Sequence, residues 1–235
     1  MPKNKEELEK TRRGAFHWVN GVPYVSVTTA LDIMDKPALR YWFGKQIFLA
    51  MVANPTLNEQ EALAAPYNKS GEAKERGSTV HSIVETYKHT GEYIDSVPDK
   101  FKGYAKAFYT WVEDNDIEIL EQERLVVSKV HNYAGILDLL VRFRKSGRVY
   151  VIDIKTGKDI YPEAYVQLSA YKNALEENGT KADETGVLLL QEDGSHKFGQ
   201  GYDAFAIFLH CKAIWNWKNK EMVETIKKGV KNGTD

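Results

Sequence analysis

Cysteine is almost absent: Cys211 is the single one in 235 residues. One thiol cannot build an intrachain disulfide framework, a four-cysteine zinc site or a four-cysteine iron–sulfur cluster. A reducing, cytoplasmic setting is therefore the default expectation. Long apolar runs are missing as well. No stretch approaches the ~20 residues a membrane helix needs, so no membrane partner is expected. Residues 1–13 are charged where a secretory signal would carry an apolar core. Net charge is close to nil, at −1, so the chain as a whole makes no case for a polyanion. There is no Ser-His-Asp elbow, and Gly157-Lys158 lacks the preceding glycine that a phosphate loop requires.

What is present is ordinary in bulk and unusual in one place. With 43% apolar and 28% charged residues, the composition is that of a soluble globular protein. No repeat, low-complexity tract or linker interrupts it. We expect one domain, with a hairpin and helical elaboration over 1–71, a core over 72–192, and a C-terminal strand and helix over 193–235.

The unusual place is Gly135-Ile136-Leu137-Asp138 followed by Val151-Ile152-Asp153-Ile154-Lys155-Thr156-Gly157. Two acids and a lysine lie in hydrophobic runs that read as strands. Side chains alternate along a strand, so Asp153 and Lys155 share a face opposite Ile152 and Ile154. Charges in such runs are costly unless they are paired or hold a metal.

Around them the pattern predicts a β-hairpin over 15–27 turning at Asn20-Gly21, and a helix from about Ala30 capped by Ser26, Thr28 or Thr29. Further helices are expected over 37–52, 58–64 (ended by Pro66), 72–89 (stopped by Thr90-Gly91) and 99–113. Strands are expected over 118–129, 133–143 and 148–155, then a helix over 162–177 and a strand over 185–191. Strand character at 204–209 and a last helix over 212–228 complete the chain. The central order, α-β-β-β-α-β, implies an α/β fold with a mixed β-sheet flanked by helices.

The short Ser146-Gly147 turn makes the strands bearing Asp138 and Asp153 antiparallel neighbours, with matching residues about 5 Å apart. A turn centred between Lys145 and Ser146 sets Asp138 opposite Asp153. A turn centred on Ser146-Gly147 sets it opposite Lys155. Both registers keep the three charged groups within reach of one divalent cation. From Arg124 to Lys158 there is also an excess of six positive charges, either a footprint for a polyanion or a solvated hairpin tip.

The ordered set of Gly135-Ile136-Leu137-Asp138, Asp153-Ile154-Lys155 and Gln167-Leu168-Ser169-Ala170-Tyr171 resembles the PD-(D/E)XK nuclease superfamily. Upstream, Arg76-Gly77-Ser78-Thr79-Val80-His81 is similar to the helix that supplies a metal-binding histidine in the RecB-like branch. That branch includes phage, CRISPR-associated and mitochondrial genome-maintenance exonucleases. The region of Ser26-Val27-Thr28-Thr29, Lys36-Pro37-Ala38-Leu39 and Trp42 resembles phage-encoded members. Leu137 stands where the superfamily name has proline, which this branch commonly lacks. The absent cysteines set the chain apart from members with an iron–sulfur cluster.

The resemblance implies a restriction-endonuclease-like core and a DNA exonuclease leaving 5′-phosphates, acting in phage or bacterial recombination, replication or repair. It implies Mg²⁺ or Mn²⁺, held by His81, Asp138, Asp153 and the Ile154 carbonyl, with Lys155 orienting or deprotonating the attacking water. Gln167 and Tyr171 would border the site and help hold DNA or Lys155. Glu85 and Glu123 are candidates just outside the ligand set. Arg142, Arg144, Arg148 and Lys158 are candidate DNA contacts. The expected partners are DNA with a free end and phage recombination or replication proteins, in the bacterial host cytoplasm if phage-encoded. A structure-specific endonuclease, a non-catalytic DNA-binding accessory protein and a small-molecule metallohydrolase are the alternatives. The pattern does not set the oligomeric state.

Overall fold

In the computed structural model, residues 11–87 and 92–232 are described. The chain opens with three short antiparallel strands: β1 (Thr11–Arg13), β2 (Phe16–Val19) and β3 (Val22–Ser26). The β2–β3 turn falls at Asn20-Gly21 as the pattern predicts, with both residues at positive φ. A single helical turn, α1 (Val27–Ala30), follows directly, so the helix expected from about Ala30 in fact ends there. Ser26 does not cap it; its hydroxyl lies 3.0 Å from that of Thr28.

Helix α2 (Pro37–Ala53) starts at its proline. The two helices expected on either side of Pro66 are one, α3 (Glu59–Glu85). Its start is secured by a capping box, in which Asn58 accepts from the Glu61 N–H and Glu61 reaches back to Asn58. Proline keeps a helical φ and removes one backbone donor, and Pro66 is buried. The helix therefore runs through it. The expected stop at Thr90-Gly91 lies outside the described residues.

The short α4 (Glu92–Asp95) leads into α5 (Lys102–Asp114), which buries Tyr104, Ala105, Phe108, Trp111 and Val112 at helical spacing. Then come β4 (Ile117–Ser128), β5 (Tyr133–Phe143), β6 (Val149–Lys155), α6 (Pro162–Glu177) and β7 (Glu184–Leu190), in the expected order. Beyond them the expectation fails twice. Strand β8 (His196–Gln200) was not foreseen, and residues 204–209 open helix α7 (Phe205–Lys218), which is followed by α8 (Lys220–Asn232). A short apolar run does not distinguish strand from helix by period alone. The burial of Ala204, Phe208, Cys211 and Trp215, spaced by four, three and four, marks a helical face.

The result is an α/β fold. The sheet order is β1-β2-β3-β5-β6-β7-β8, with β4 paired to β5. Pairs β3–β5 and β6–β7 are parallel and the remaining pairs antiparallel. Leu140 and Val151 join α6 and α7 residues in one core, while Leu139, Val141, Ile152 and Ile154 join α3 and α5 residues in the other. Among the described residues no helix is long and apolar enough to cross a membrane.

One edge of β5 is shared between two neighbours. Tyr133 and Ala134 pair with β3, and Leu139 to Arg142 pair with β6. The stretch between them, Gly135-Ile136-Leu137-Asp138, faces a split in the sheet. The register, with Leu139 opposite Ile152 and Arg142 opposite Val149, is the first of the two alternatives and runs on to Asp138 and Asp153. There the strands part, and Asp153 to Lys155 pair with β7 alone.

Candidate active site

The split leaves Ile154 without a backbone partner on β5, and Asp138 supplies one. Its Oδ2 accepts the buried Ile154 N–H at 2.6 Å. On the same residue, the Ile154 carbonyl lies 3.2 Å from His81 Nε2 on α3. The other ring nitrogen, His81 Nδ1, stands 3.6 Å from both Asp138 Oδ1 and Glu123 Oε1. One ligand atom each from His81, Glu123 and Asp138 fall within 4.8 Å of one another. One nitrogen and two carboxylate oxygens suit a hard or borderline divalent cation.

Glu123 reaches this cluster through a distortion that sequence periodicity does not reveal. Gln122 pairs with Leu139 and Arg124 with Leu137, which puts Glu123 beside Asp138 across the ladder. Its φ of 45° is uncommon for a residue with a side chain. Regarded from sequence as an outlying acid, Glu123 is grouped by the structure with His81 and Asp138. Glu85 stands exposed on the rim, outside that group.

Asp153 forms the second half. It is 1% exposed, with Lys155 Nζ 2.9 Å from Oδ1 and 2.7 Å from Oδ2. Gln167 Nε2 adds a bond to Oδ1 at 2.8 Å and also lies 3.1 Å from the Tyr171 hydroxyl. The helical pair thus braces Asp153, where sequence suggested DNA or Lys155. Tyr171 occupies space left by Gly135: a Cβ there would overlap its ring and press on Val27. Gly135→Ala should therefore push Tyr171 and Gln167 away from Asp153. Overpacking costs about 1–3 kcal/mol, and a displacement near 1 Å can cost about 10²-fold in rate. A fall of that order in kcat, with a melting point lower by several degrees, is the expected result; unchanged kinetics would remove this brace from the mechanism.

The two halves act on each other electrostatically. Burial, together with the Asp153 charge, raises the Asp138 carboxyl to about 7 despite opposing pulls from His81 and Lys155. For His81, burial lowers the pKa, but the Glu123 hydrogen bond and the charges of Asp138 and Asp153 prevail and raise it to about 9. Burial also opposes charge on Lys155, yet Asp153 and Asp138 hold its ammonium above the usual lysine range. Asp138 is crowded enough to favour its protonated form, as expected of a carboxyl that gains when a cation takes the proton's place. Beside His81 an open cleft of about 390 Å³ is lined by Gly77, Ser78, His81, Ser82, Glu85 and Glu123.

The basic hairpin does not join this site. Arg142 pairs with Glu118 at 3.0 Å and Arg148 with Glu184 at 3.1 Å, while Lys145 donates to the Asp114 carbonyl at 3.4 Å. Arg144 is exposed on the same turn. Six residues of strand, about 20 Å, separate that turn from Asp138. The acids that pair with Arg142 and Arg148 come from β4 and β7, outside the stretch in which the charge excess lies. Of the four proposed DNA contacts, only Lys158 lies near the site end of β6, where it is exposed.

A family model, that of the PD-(D/E)XK nuclease superfamily, matches residues 56–227. No curated protein matches the chain. Among solved structures it is similar to an alkaline exonuclease (LHK-Exo) from Laribacter hongkongensis, with a TM-score of 0.45, 11% identity, and coverage of 89% of this chain and 94% of that one. LHK-Exo in complex with dAMP gives 0.45, 12%, 89% and 94%. The structure of SSO0001 gives a TM-score of 0.37, 14% identity, 85% of this chain and 75% of that one.

Proposed function

Because this chain belongs to the PD-(D/E)XK nuclease superfamily, we propose that it is a DNA exonuclease of the RecB-like branch, similar to phage-encoded members. It requires Mg²⁺ or Mn²⁺ and leaves 5′-phosphates, in phage or bacterial recombination, replication or repair. The observation that carries this reading is the sheet split, beside which His81, Glu123 and Asp138 cluster next to the Asp153–Lys155 pair, with His81 and Glu123 opening onto a cleft.

His81, Asp138, Asp153 and the Ile154 carbonyl are the ligands proposed, with Glu123 added on its geometry. A bound dication would supply Lewis acidity toward the scissile phosphate and a more acidic water. The chain's own contribution is placement. The Ile154 N–H fixes one Asp138 oxygen and leaves the other toward His81. Lys155 and Gln167 fix Asp153, and Tyr171 steadies Gln167. Lys155 keeps a positive charge where negative charge grows on the phosphate oxygens in the transition state. A buried, lysine-paired acid such as Asp153 has no use on a surface that only binds phosphates, which disfavours the accessory-protein reading. The exonuclease reading takes α3, which delivers His81 and lines the cleft, together with α2 packed on it, as the elements that would restrict entry to a DNA end.

The test uses end-labelled linear and covalently closed circular DNA, single- and double-stranded, with Mg²⁺ or Mn²⁺ and with chelator. Linear DNA should be degraded from an end, circles should survive, and chelator should stop the reaction. Circles cut as fast as linear DNA would make it an endonuclease. No cleavage with either metal would sink the nuclease proposal.

A further inference from the structure

Seven aromatic residues stand out in the N-terminal region and near the cleft: Trp18, Tyr24, Tyr41, Trp42, Phe43, Tyr67 and Tyr87. The structure separates them. Tyr24 is buried, Trp18 is half-buried against the main core, and Tyr87 packs on Phe108 and donates to Glu113. Trp42, Phe43 and Tyr67 instead form a chain of edge-on contacts between α2 and α3, each with ring centroids 5.4 Å apart. Tyr67 is 66% exposed, and Tyr41, next to Trp42 in the chain on α2, is 76% exposed. Packing does not account for rings left this far in solvent.

Their position is set by the helix that reaches the active site. At about 3.6 residues per turn, Tyr67 and Glu85 stand five full turns apart on the same azimuth. Leu63 and His81 do likewise. The strip between Tyr67 and His81 presents Ser70, Gly71, Lys74 and Ser78, which are small side chains and one exposed lysine. No carboxylate lies on it; Glu72 and Glu75 fall to the side. It then enters the cleft at Ser78 and His81. From Tyr67 to His81 the axial distance is about 21 Å, which holds at most about six nucleotides at a rise of about 3.4 Å per nucleotide.

Resting on the nuclease reading, we infer that this face of α3 is a track for single-stranded DNA, with the Trp42–Phe43–Tyr67 cluster as a base-stacking platform and Lys74 as a phosphate contact. Only a single strand offers free base faces to such rings, and stacking together with a cationic groove is how strands are held without regard to sequence. Duplex DNA hides its base faces, and a protein partner would have no reason to follow a line ending among carboxylates and a lysine. The occupant is a strand of about four to six nucleotides whose far end is the one being cut.

The experiment measures equilibrium binding of fluorescent dT2, dT4, dT6, dT8 and dT12 with chelator present, to the full chain and to Tyr67→Ala and Tyr67→Phe. Affinity of the parent should climb with length to about six nucleotides and then level off. Tyr67→Ala should weaken dT8 and dT12 by about 5- to 100-fold, with the ratio to parent shrinking toward dT2. Tyr67→Phe should restore the parent behaviour. Equal dT12 binding by Tyr67→Ala and parent, or an equal loss for a blunt duplex of the same length, overturns the track. Cleavage of labelled DNA by the parent is scored separately, so failure of the nuclease reading is distinguishable from failure of the track.

Discussion

Replacing Asp138 by asparagine is expected to abolish phosphodiester cleavage while raising the melting temperature of the metal-free protein. The two effects have separate causes. Asparagine retains an oxygen for the Ile154 N–H, so the backbone at the sheet split keeps its partner. What disappears is a negative charge between Asp153 and the His81–Glu123 pair, and with it a ligand to the cation. Cleavage should fall by at least about 10³-fold, the scale on which single charge-stabilising groups act in such sites. The stability effect follows from linkage. Burial and Asp153 raise the Asp138 carboxyl to about 7, above the ordinary value of about 4. The folded chain therefore holds more proton than the unfolded chain between those values, and stability declines as pH rises through that window. Above pH 7 the cost is complete, and the asparagine variant escapes it. Each kcal/mol relieved is worth about 2–4 °C for a chain of this size. Melting curves at pH 4 and pH 8 decide the matter: the variant should gain at pH 8 and gain little or nothing at pH 4. A variant that cuts DNA at the parental rate would remove Asp138 from the site.

Lys155→Met should be as damaging to cleavage but opposite in stability. The ammonium lies within 2.9 Å of both Asp153 oxygens, and Asp153 is almost wholly buried. Methionine fills the stem and removes the charge, leaving Asp153 with the Gln167 amide. Breaking a buried pair from one side typically costs about 3–5 kcal/mol, discounted here because the lysine end is 36% exposed. A lower melting point in the metal-free protein is expected, largely recovered by Mn²⁺, since a cation can take over the charge of Asp153. The rate should nevertheless stay down by about 10²- to 10³-fold at saturating metal. That combination separates a role in catalysis from a role in assembling the site. Parental rates at saturating Mn²⁺ would make Lys155 an assembly residue alone.

Much of this was legible from residues. Alternation along a strand places Asp153 and Lys155 together, and a tight turn limits Asp138 to one of two partners. The spacing of apolar residues over α5, α6 and the central strands gives their order with ends correct to within a few residues. Readings that depended on one local cue went astray: Pro66 as a terminator, and the 204–209 run as a strand. In both cases distant packing decided the conformation, through the buried face on which each segment lies.

Sequence by itself supplied the candidate groups His81, Asp138, Asp153, Lys155, Gln167 and Tyr171, because their types and order are read without any detail of folding. Tertiary structure alone decided which atoms meet. It made Glu123 a neighbour of His81 and Asp138 through a strained backbone on β4, and it assigned Gln167 to Asp153. It matched Arg142 and Arg148 with acids far away in the chain. It also aligned Tyr67 with His81 on one unbroken helix. The physical reason is common to all four: alternation and helical period are local rules, whereas a split sheet, a salt bridge between strands and a helix running through proline depend on what is packed against them.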